Sequence, residues 1–376
     1  MAGDRAALEA LLAQRLIVCV GPGGVGKTTT AAALGMAAAL RGRATAVITA
    51  DPSRRLKDAL GLADLRSDPH PVDLGNGAGR FEALAIDTKR TFDRLIERVA
   101  ANPAAAQRIL ANRLYRELSG ELGGSAEYMA MEKLYELLAQ GRYELIIVDT
   151  PPSADARALL AAPLRMTELL ASQAVQFLKA PSSIITGSES SVMRLTLSTV
   201  LKALERWTGM TLLDELADFV GGFEHLIDGF RARAQAIDAA LHTAQASFVL
   251  VTSAEVNTIE ATLTFAAELR EVGFPVAGTI ANRVYDFPAT ARDTTRTAPA
   301  LRKKLLANYA DFAALSARDR SALARLDGSP AAPLLAVLPV LAEAPASLAG
   351  LRHVAELLAG TANAVALRRS RRGPSA

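Results

Sequence analysis

The residues best suited to chemistry form a glycine-rich loop that ends in a lysine and a threonine. The loop reads GPGGVGKT and spans residues 21–28. Glycines let the backbone curl so that successive N–H groups point at phosphate oxygens. Lys27 would then reach the β- and γ-phosphates, and the Thr28 hydroxyl would bind Mg²⁺. We therefore predict a nucleotide phosphate site formed by Gly23, Gly24, Val25, Gly26, Lys27, Thr28 and Thr29.

Two elements must position this loop, and the sequence contains both. The apolar run Leu16–Val20 precedes it and predicts a buried strand, and the Ala-rich stretch Thr29–Leu40 follows it and predicts a helix. Strand, loop and helix in this order are the context in which the motif binds phosphate, because the helix N-terminus adds a positive dipole end.

A carboxylate for Mg²⁺ is expected at Asp149, which ends the apolar run Leu145–Asp149. Such an Asp supports the metal in P-loop sites, although an Asp can also simply terminate a strand. The turn Thr150–Ser153 follows it, and its two prolines would stiffen a contact with the γ-phosphate.

A second carboxylate, Asp51, follows the predicted strand Thr45–Thr49. In a doubly wound sheet this loop lies at the same edge as the glycine-rich loop. A carboxylate there could orient or deprotonate the attacking water. Asp51 could equally belong to an Asp-Pro turn that caps a helix.

Short apolar runs alternate with helical stretches along most of the chain. This pattern predicts an α/β fold, a doubly wound and mostly parallel sheet with flanking helices, in a single domain over residues 1–376. The predicted strands are Leu16–Val20, Thr45–Thr49, Phe81–Ile86, Leu145–Asp149, Phe248–Thr252, Val276–Ala281 and Leu335–Leu338. Residues 155–243 interrupt the pattern, and apolar stripes such as Leu212–Phe230 predict an inserted helical subdomain there.

Composition and charge argue against several classes of function. The net charge of +3 comes from an arginine-rich end, so we expect no nucleic-acid footprint on the body and a disordered basic tail at residues 368–376. That tail could also contact an anionic membrane. We expect neither a signal peptide nor a membrane-spanning run, and the single cysteine allows no disulfide within the chain. We expect a cytoplasmic protein.

The glycine-rich loop and the segments TADPSRRLKDALG and VDTPPSADARALL resemble the P-loop, switch I and switch II of the ArsA-type ATPases. This family of P-loop NTPases includes the arsenite-pump ATPase and the tail-anchored-protein targeting factor, and it is related to MinD and ParA. The similarity extends through the helical insertion to the segments TIANR, at residues 279–283, and LPV, at residues 338–340.

The resemblance implies ATP and Mg²⁺ as cofactors and a dimer, either of two copies or with a related ATPase. It implies that Asp51 activates water and that Asp149 supports Mg²⁺, through water. It further implies that Asn282 contacts the adenine edge, with Pro339 packed nearby. A hydrophobic helix or a protein cargo would bind the helical subdomain.

The chain departs from the family at residues that matter for function. Pro22 stands where the family has a lysine that reaches the partner's phosphates, so hydrolysis should be slow unless Arg54, Arg55 or Arg157 supplies a cation. A single cysteine argues against arsenite pumping, because a soft metalloid prefers several thiolates. The zinc-binding CxxC is absent, and the histidines have no cysteine partners.

These observations leave alternative functions open. The first is a Mg²⁺-dependent ATPase that acts as a nucleotide-driven switch for a protein or hydrophobic cargo. The second is an ATP-binding scaffold with little or no hydrolysis, which follows from Pro22. The third is a MinD-like membrane-associated ATPase, suggested by a predicted helix Leu348–Leu367 that precedes the arginine run.

Overall fold

The computed structural model describes residues 2–50, 55–100, 102–111, 125–151, 153–171, 228–287, 298–327, 329–330 and 332–360. These residues form two compact units. The described residues of the first unit lie within Met1–Ile86, Leu137–Arg157 and Leu241–Ala376, and those of the second lie within Asp87–Glu136 and Ala158–Ala240.

The first unit is built around an eight-stranded sheet with the strand order β3-β4-β2-β5-β1-β6-β7-β8. All neighbouring strands are parallel except β3, which pairs antiparallel with β4. The strands are β1 (Leu16–Val20), β2 (Thr45–Thr49), β3 (His70–Pro71), β4 (Phe81–Ala85), β5 (Leu145–Asp149), β6 (Ala246–Thr252), β7 (Val276–Val284) and β8 (Leu334–Pro339). The predicted doubly wound, mostly parallel sheet is confirmed.

The described part of the chain contains helices in both units. They are α1 (Ala2–Leu12), α2 (Lys27–Ala39), α3 (Arg55–Leu60), α4 (Thr88–Val99), α5 (Pro103–Ala111), α6 (Ser125–Gln140), α7 (Ser153–Ala171), α8 (228–241), α9 (Val256–Glu271), α10 (Pro299–Asp327) and α11 (Leu348–Leu358). None of the helices in these ranges combines the length and apolar composition needed to cross a bilayer.

Helices cover both faces of the sheet, which explains why its central strands are continuous apolar runs. Every residue of β1, β2, β5 and β6 is buried. Ile280 packs into the core that contains α2 and α11, whereas its neighbour Ala281 packs into the core shared with α9 and α10. Because successive side chains of a strand point to opposite faces, the two cores lie on opposite sides of the sheet.

Helix α11 begins at the predicted Leu348 but ends at Leu358, before Gly360, whose φ is 69°. Its apolar side chains, including Leu351 and Val354, are buried in the core with α2. This face of the helix is therefore occupied by packing within the first unit. The arginine run of residues 368–376 lies outside the described residues.

The second unit has a core of its own with a buried network of charges. The ring of Phe230 contacts those of Phe92 and Tyr128 at centroid distances of 6.0 and 6.2 Å. The Arg233 guanidinium binds both carboxylate oxygens of Glu132, whose side chain is 1% exposed. Most of the predicted subdomain 155–243 lies outside the described residues, so its boundaries remain a prediction.

Candidate functional site

The glycine-rich loop joins β1, the central strand between β5 and β6, to the N-terminus of α2. Gly24 and Gly26 have φ angles of 78° and 94°, a left-handed region that costs other residues about 1–2 kcal/mol. At Gly21 a Cβ atom would lie 2.2 Å from the carbonyl oxygen of Val251 in β6. The loop thus has a curled backbone that requires glycine at these positions.

Lys27 is the first residue of α2, and its side chain is buried. Its ammonium group donates hydrogen bonds to the carbonyl oxygens of Gly21 at 3.0 Å and Pro22 at 2.9 Å. The lysine therefore reaches back across the loop to its first two residues. This places a positive charge next to the loop backbone rather than on the protein surface.

Asp149 ends β5, and the sheet register places it beside Cys19 of β1 and Thr49 of β2. Asp149 is fully buried, and the Thr49 hydroxyl donates a hydrogen bond of 3.1 Å to its Oδ2 atom. Since parallel strands end at the same edge of the sheet, the carboxylate lies at the edge from which the glycine-rich loop leaves β1.

The electrostatics of Cys19 indicate that charges of both signs converge at this edge. Burial raises the pKa of the Cys19 thiol, the negative charge of Asp149 raises it further, and the positive charge of Lys27 opposes them. The carboxylate and the ammonium are thus both close enough to act on one thiol. Asp149 and the buried Thr28 hydroxyl offer oxygen ligands, which are the kind that Mg²⁺ prefers.

The segment after Asp149 is anchored to β1. The Thr150 hydroxyl donates to the carbonyl oxygen of Cys19 at 2.8 Å. A few residues later, the Arg157 guanidinium binds both carboxylate oxygens of Glu268 in α9, at 2.7 and 3.0 Å, and lies over the ring of Phe265. Arg157, one of the three arginines that the sequence offered as a replacement cation, is therefore ion-paired with Glu268 of α9.

Asn282, near the end of β7, contacts the glycine-rich loop directly. Its Nδ2 atom donates to the carbonyl oxygen of Val25 at 2.8 Å, and its Oδ1 atom accepts from the backbone N–H of Arg283 at 2.9 Å. A Cβ atom on Gly26 would lie 2.2 Å from Nδ2, so this approach requires glycine. An amide has two N–H groups and two lone pairs, which leaves one of each after these contacts.

Arg283 makes a second contact with the loop, which the sequence did not predict. Its Nη1 atom donates to the carbonyl oxygen of Gly24 at 3.0 Å, and the side chain is exposed. Its φ of 58° lies in the left-handed region, and no other non-glycine residue in the described ranges has a positive φ. The bonds to Asn282 and Gly24 hold the residue in this strained conformation.

A cavity of about 550 Å³ lies next to the loop within the first unit. The candidate binding residues Gly23, Gly24, Val25, Gly26, Thr29, Asn282 and Pro339 all line it. Leu338, Leu341 and Leu357 add apolar side chains, and Arg283 and Arg318 add guanidinium groups. Lys27, Thr28 and Asp149 are buried and do not line the cavity.

Helix α10 holds one edge of this cavity. Asp319, which is 1% exposed, accepts a hydrogen bond of 2.9 Å from the backbone N–H of Tyr285, and Ser316 accepts one of 3.3 Å from the N–H of Phe287. Only the fold brings these residues together with β7, so no sequence signal pointed to them.

Asp51 and Arg54 lie outside the described residues, so their predicted roles remain predictions. Ala50, the residue before Asp51, donates its backbone N–H to the carbonyl oxygen of Asp149 at 3.0 Å. The chain therefore enters the Asp51 segment beside the end of β5. Arg55 begins α3 with an exposed side chain.

Comparisons with known proteins agree with this geometry. A family model described as an anion-transporting ATPase matches residues 14–311 of the chain. An uncharacterized protein from Streptomyces coelicolor is 32% identical over 157 residues, which cover 42% of this chain and 39% of that protein.

Two relatives carry ATPase names. The ATPase ASNA1 homolog 2 of Paramecium tetraurelia is 32% identical over 143 residues, covering 37% of this chain and 41% of the relative. The ATPase GET3 of Malassezia globosa is 28% identical over 147 residues, covering 39% of this chain and 42% of the relative. The chain thus matches about two fifths of the length of each of these curated relatives.

Proposed function

This chain belongs to the anion-transporting ATPase family, and we propose that it is a Mg²⁺-dependent ATP hydrolase that acts as a nucleotide-driven switch for a protein or hydrophobic cargo. The observation that carries the proposal is the direct connection between the glycine-rich loop and the cavity. Asn282 and Arg283 hydrogen-bond to successive loop carbonyls while lining the same cavity as Gly23–Gly26. One ligand with phosphates at the loop and a base in the cavity fits this arrangement.

The proposed roles follow from the chemistry of each residue. Backbone N–H groups of Gly23–Thr29 bind the phosphates, and Lys27 neutralises their charge. The remaining N–H and lone pair of Asn282 face the adenine edge, beside the ring of Pro339. Thr28 would bind Mg²⁺ directly, and Asp149 would do so through water.

Asp51 is proposed to accept a proton from the attacking water. When bound, Mg²⁺ and ATP supply the γ-phosphoryl group and the metal charge that offsets the developing negative charge. Lys27 and the loop N–H groups then stabilise the transferring phosphoryl group by position and charge, which is the main task of the protein in this reaction.

We expect slow hydrolysis because Pro22 provides no cation. A second candidate function, an ATP-binding scaffold with little turnover, rests on this residue and on the engagement of Arg157 by Glu268. A tenfold or larger rate gain in Pro22→Lys would show that the missing charge limits turnover. An unchanged rate would mean that another group already supplies the charge.

We further propose a dimer as the working form, of two copies or with a related ATPase, and a cargo with an apolar segment. Arsenite pumping is disfavoured by Cys19, which is the only cysteine of the chain, is fully buried and has a raised pKa. A protonated thiol inside the sheet is a poor ligand for a soft metalloid.

The direct test is ATP turnover with and without Mg²⁺, together with the affinity for a fluorescent ATP analogue. We expect Asp51→Asn to lower turnover by about 100-fold or more while binding persists, since it removes general-base catalysis. Lys27→Ala should weaken binding as well. Asp58→Asn, on the exposed face of α3, is the matched control and should behave as wild type.

If Asp51→Asn hydrolysed ATP at the wild-type rate, Asp51 would not be the group that accepts the proton from the attacking water. Failure of the wild-type protein to bind ATP would overturn the proposed function as a whole.

A further inference from the structure

Two neighbouring residues of α10 form a hydrogen-bonded ion pair at the wall of the cavity. The side chain of Asp319 is 1% exposed, and its Oδ1 atom accepts hydrogen bonds from Nε and Nη2 of Arg318, at 3.1 and 2.9 Å. Its Oδ2 atom accepts from the backbone N–H of Tyr285 at 2.9 Å. A buried carboxylate therefore ties the guanidinium of Arg318 to the backbone that follows β7.

The guanidinium of Arg318 is held in place without being covered. The side chain is 57% exposed and lines the cavity. Asp319 uses only two of the five N–H groups of the arginine. A planar cation that is already fixed loses little conformational freedom when a ligand binds against it, which favours its use as a contact surface.

The cavity receives residues from helices on opposite faces of the sheet. Leu357 of α11 lines the cavity and belongs to the core on one face. Helix α10, which carries Arg318, packs into the core on the other face through Leu326. A flat ligand at the edge of the sheet would therefore meet apolar side chains on one side and the guanidinium of Arg318 on the other.

The cavity offers little other planar surface on which a base could stack. Among the described residues that line it, Tyr285 is the one aromatic residue, and its ring contacts the ring of Phe312 at a centroid distance of 6.1 Å. The second guanidinium, that of Arg283, is hydrogen-bonded to the loop at Gly24. Arg318 is therefore the planar side chain best placed to contact the face of a base.

We propose that the guanidinium of Arg318 stacks on the adenine ring of the bound nucleotide, and that Asp319 is the positioning residue that holds it there. Guanidinium planes attract the faces of aromatic rings, and stacking on a base depends little on the groups at its edge. Asn282 would contact the edge of the ring and Arg318 its face. This role rests on the proposed function, because it assigns a residue to the base of the nucleotide that the glycine-rich loop binds.

The test compares two ligands that differ only in the base. ADP and ribose 5-diphosphate carry the same sugar and phosphates, and neither has a γ-phosphate to hydrolyse. In calorimetric titrations with Mg²⁺, the wild-type protein should bind ADP more tightly than ribose 5-diphosphate. Arg318→Ala should weaken the binding of ADP about tenfold, since it removes the stack on the base, and should leave the affinity for ribose 5-diphosphate unchanged.

Arg325→Ala is the matched control on the same helix. The side chain of Arg325 is 50% exposed and forms an ion pair with Glu260, but it does not line the cavity. Like Arg318→Ala, this change removes one arginine and one ion pair from α10. Both affinities should equal those of the wild type. If Arg325→Ala lost as much ADP affinity as Arg318→Ala, the effect would come from altering the helix and the stacking would be refuted.

Arg318→Lys separates the planar shape of the side chain from its charge. Lysine keeps the positive charge and N–H donors but lacks the planar guanidinium. This variant should therefore bind ADP nearly as weakly as Arg318→Ala. ADP binding as tight as that of the wild type would show that charge alone acts at this position, which contradicts stacking.

Asp319→Asn tests the positioning role. The change removes the negative charge that holds Arg318, so the affinity for ADP should fall several-fold while that for ribose 5-diphosphate stays the same. An effect of Asp319 on stability alone would not change the ratio of the two affinities. An unchanged ratio would exclude Asp319 as the positioning residue.

The two ligands also separate this role from the proposed function. Retained binding of ribose 5-diphosphate shows that a variant is folded and that its phosphate loop is intact. If Arg318→Ala weakened both ligands equally, Arg318 would act on the phosphates or on the fold, and the stacking would be overturned. A wild-type protein that binds both ligands equally well would also overturn it, whereas one that binds neither would refute the proposed function.

Discussion

At the scale of single residues, the site depends on two neighbours at the end of β7. Asn282 and Arg283 donate hydrogen bonds to Val25 and Gly24, which ties the glycine-rich loop to a strand more than 250 positions away. Arg283 makes these contacts with a left-handed φ of 58°, a strained conformation that surrounding contacts must hold in place. We interpret the pair as a brace that keeps the loop in its phosphate-binding shape.

We expect Arg283→Ala to weaken the affinity for the ATP analogue about three- to tenfold, since it removes a charge-assisted hydrogen bond. Arg283→Gly should bind as weakly, although glycine relieves the left-handed strain. Arg15→Ala, at the other end of β1, controls for loss of charge. If Arg283→Ala and wild type bound the ATP analogue equally tightly in equilibrium titrations, the hydrogen bond from Arg283 to Gly24 would not contribute to nucleotide binding.

Two loop glycines provide a matched comparison. Gly24→Ala and Gly26→Ala both suffer the left-handed backbone cost of about 1–2 kcal/mol. Gly26→Ala also disturbs the Asn282 hydrogen bond, whereas nothing lies within 4 Å of a Cβ atom on Gly24. In thermal unfolding without nucleotide, Gly26→Ala should therefore be the less stable by about 1 kcal/mol. The reverse order would argue against the Asn282 contact.

At the scale of elements, ion pairs that are partly buried connect the helices of the second unit. Glu136 of α6 forms an ion pair of 2.9 Å with Arg98 of α4 and one of 3.3 Å with Lys133. Burial raises the pKa of Glu136, but the charges and hydrogen bonds of Lys133 and Arg98 outweigh burial and hold the pKa below its ordinary value. This network ties α4 to α6.

A lowered pKa in the folded state has a defined consequence for stability. Glu136 contributes stability that is present above its unfolded pKa of about 4.3 and is lost as the pH falls through its folded pKa. Glu136→Gln should therefore destabilise the protein by about 1–3 kcal/mol at pH 7. The difference should shrink progressively below pH of about 4.

Thermal unfolding across this pH range measures the effect. Glu97→Gln, an exposed change on α4, serves as the control and should follow wild type throughout. A Glu136→Gln penalty that stays constant down to the lowest pH would show that the charge of Glu136 is not what stabilises the unit.

At the scale of the whole molecule, the loop and the cavity both belong to the first unit. A ligand that bridges the loop and the cavity would join residues from the glycine-rich loop, α2, β7 and β8. Such a ligand stabilises the folded state by mass action. The gain in the free energy of unfolding grows with the logarithm of the ratio of ligand concentration to dissociation constant.

We expect Mg²⁺ and a non-hydrolysable ATP analogue, at about 100 times the dissociation constant, to stabilise the protein by about 2.7 kcal/mol. Chelation of Mg²⁺ should reduce this gain, because the oxygens of Thr28 and Asp149 then lack the metal. Lys27→Ala should abolish the gain, whereas the control Lys57→Ala on α3 should retain it. Hydrogen exchange should show new protection at residues 21–29 and 282–285, and protection elsewhere alone would contradict the site.

The sequence predicted the interior strands of the sheet more accurately than its edge. The strands β1, β2 and β5 were predicted to the residue, since interior parallel strands are continuous apolar runs bounded by turn residues. The strand β3 was missed, because a two-residue antiparallel edge strand, His70–Pro71, leaves no periodic pattern. The helix predicted over Leu348–Leu367 ends at Leu358.

The sequence by itself determined the phosphate loop, the parallel sheet around it and the carboxylate at Asp149, because each of these features depends on a motif or an apolar run of a few adjacent residues. The tertiary structure decided which distant residues meet that loop. Asn282 was assigned from family resemblance alone, yet the fold places its amide on Val25, and it adds Arg283 at the loop and Asp319 at the edge of the cavity. Such contacts join positions far apart in the chain, and only the packing of the sheet and helices brings them together.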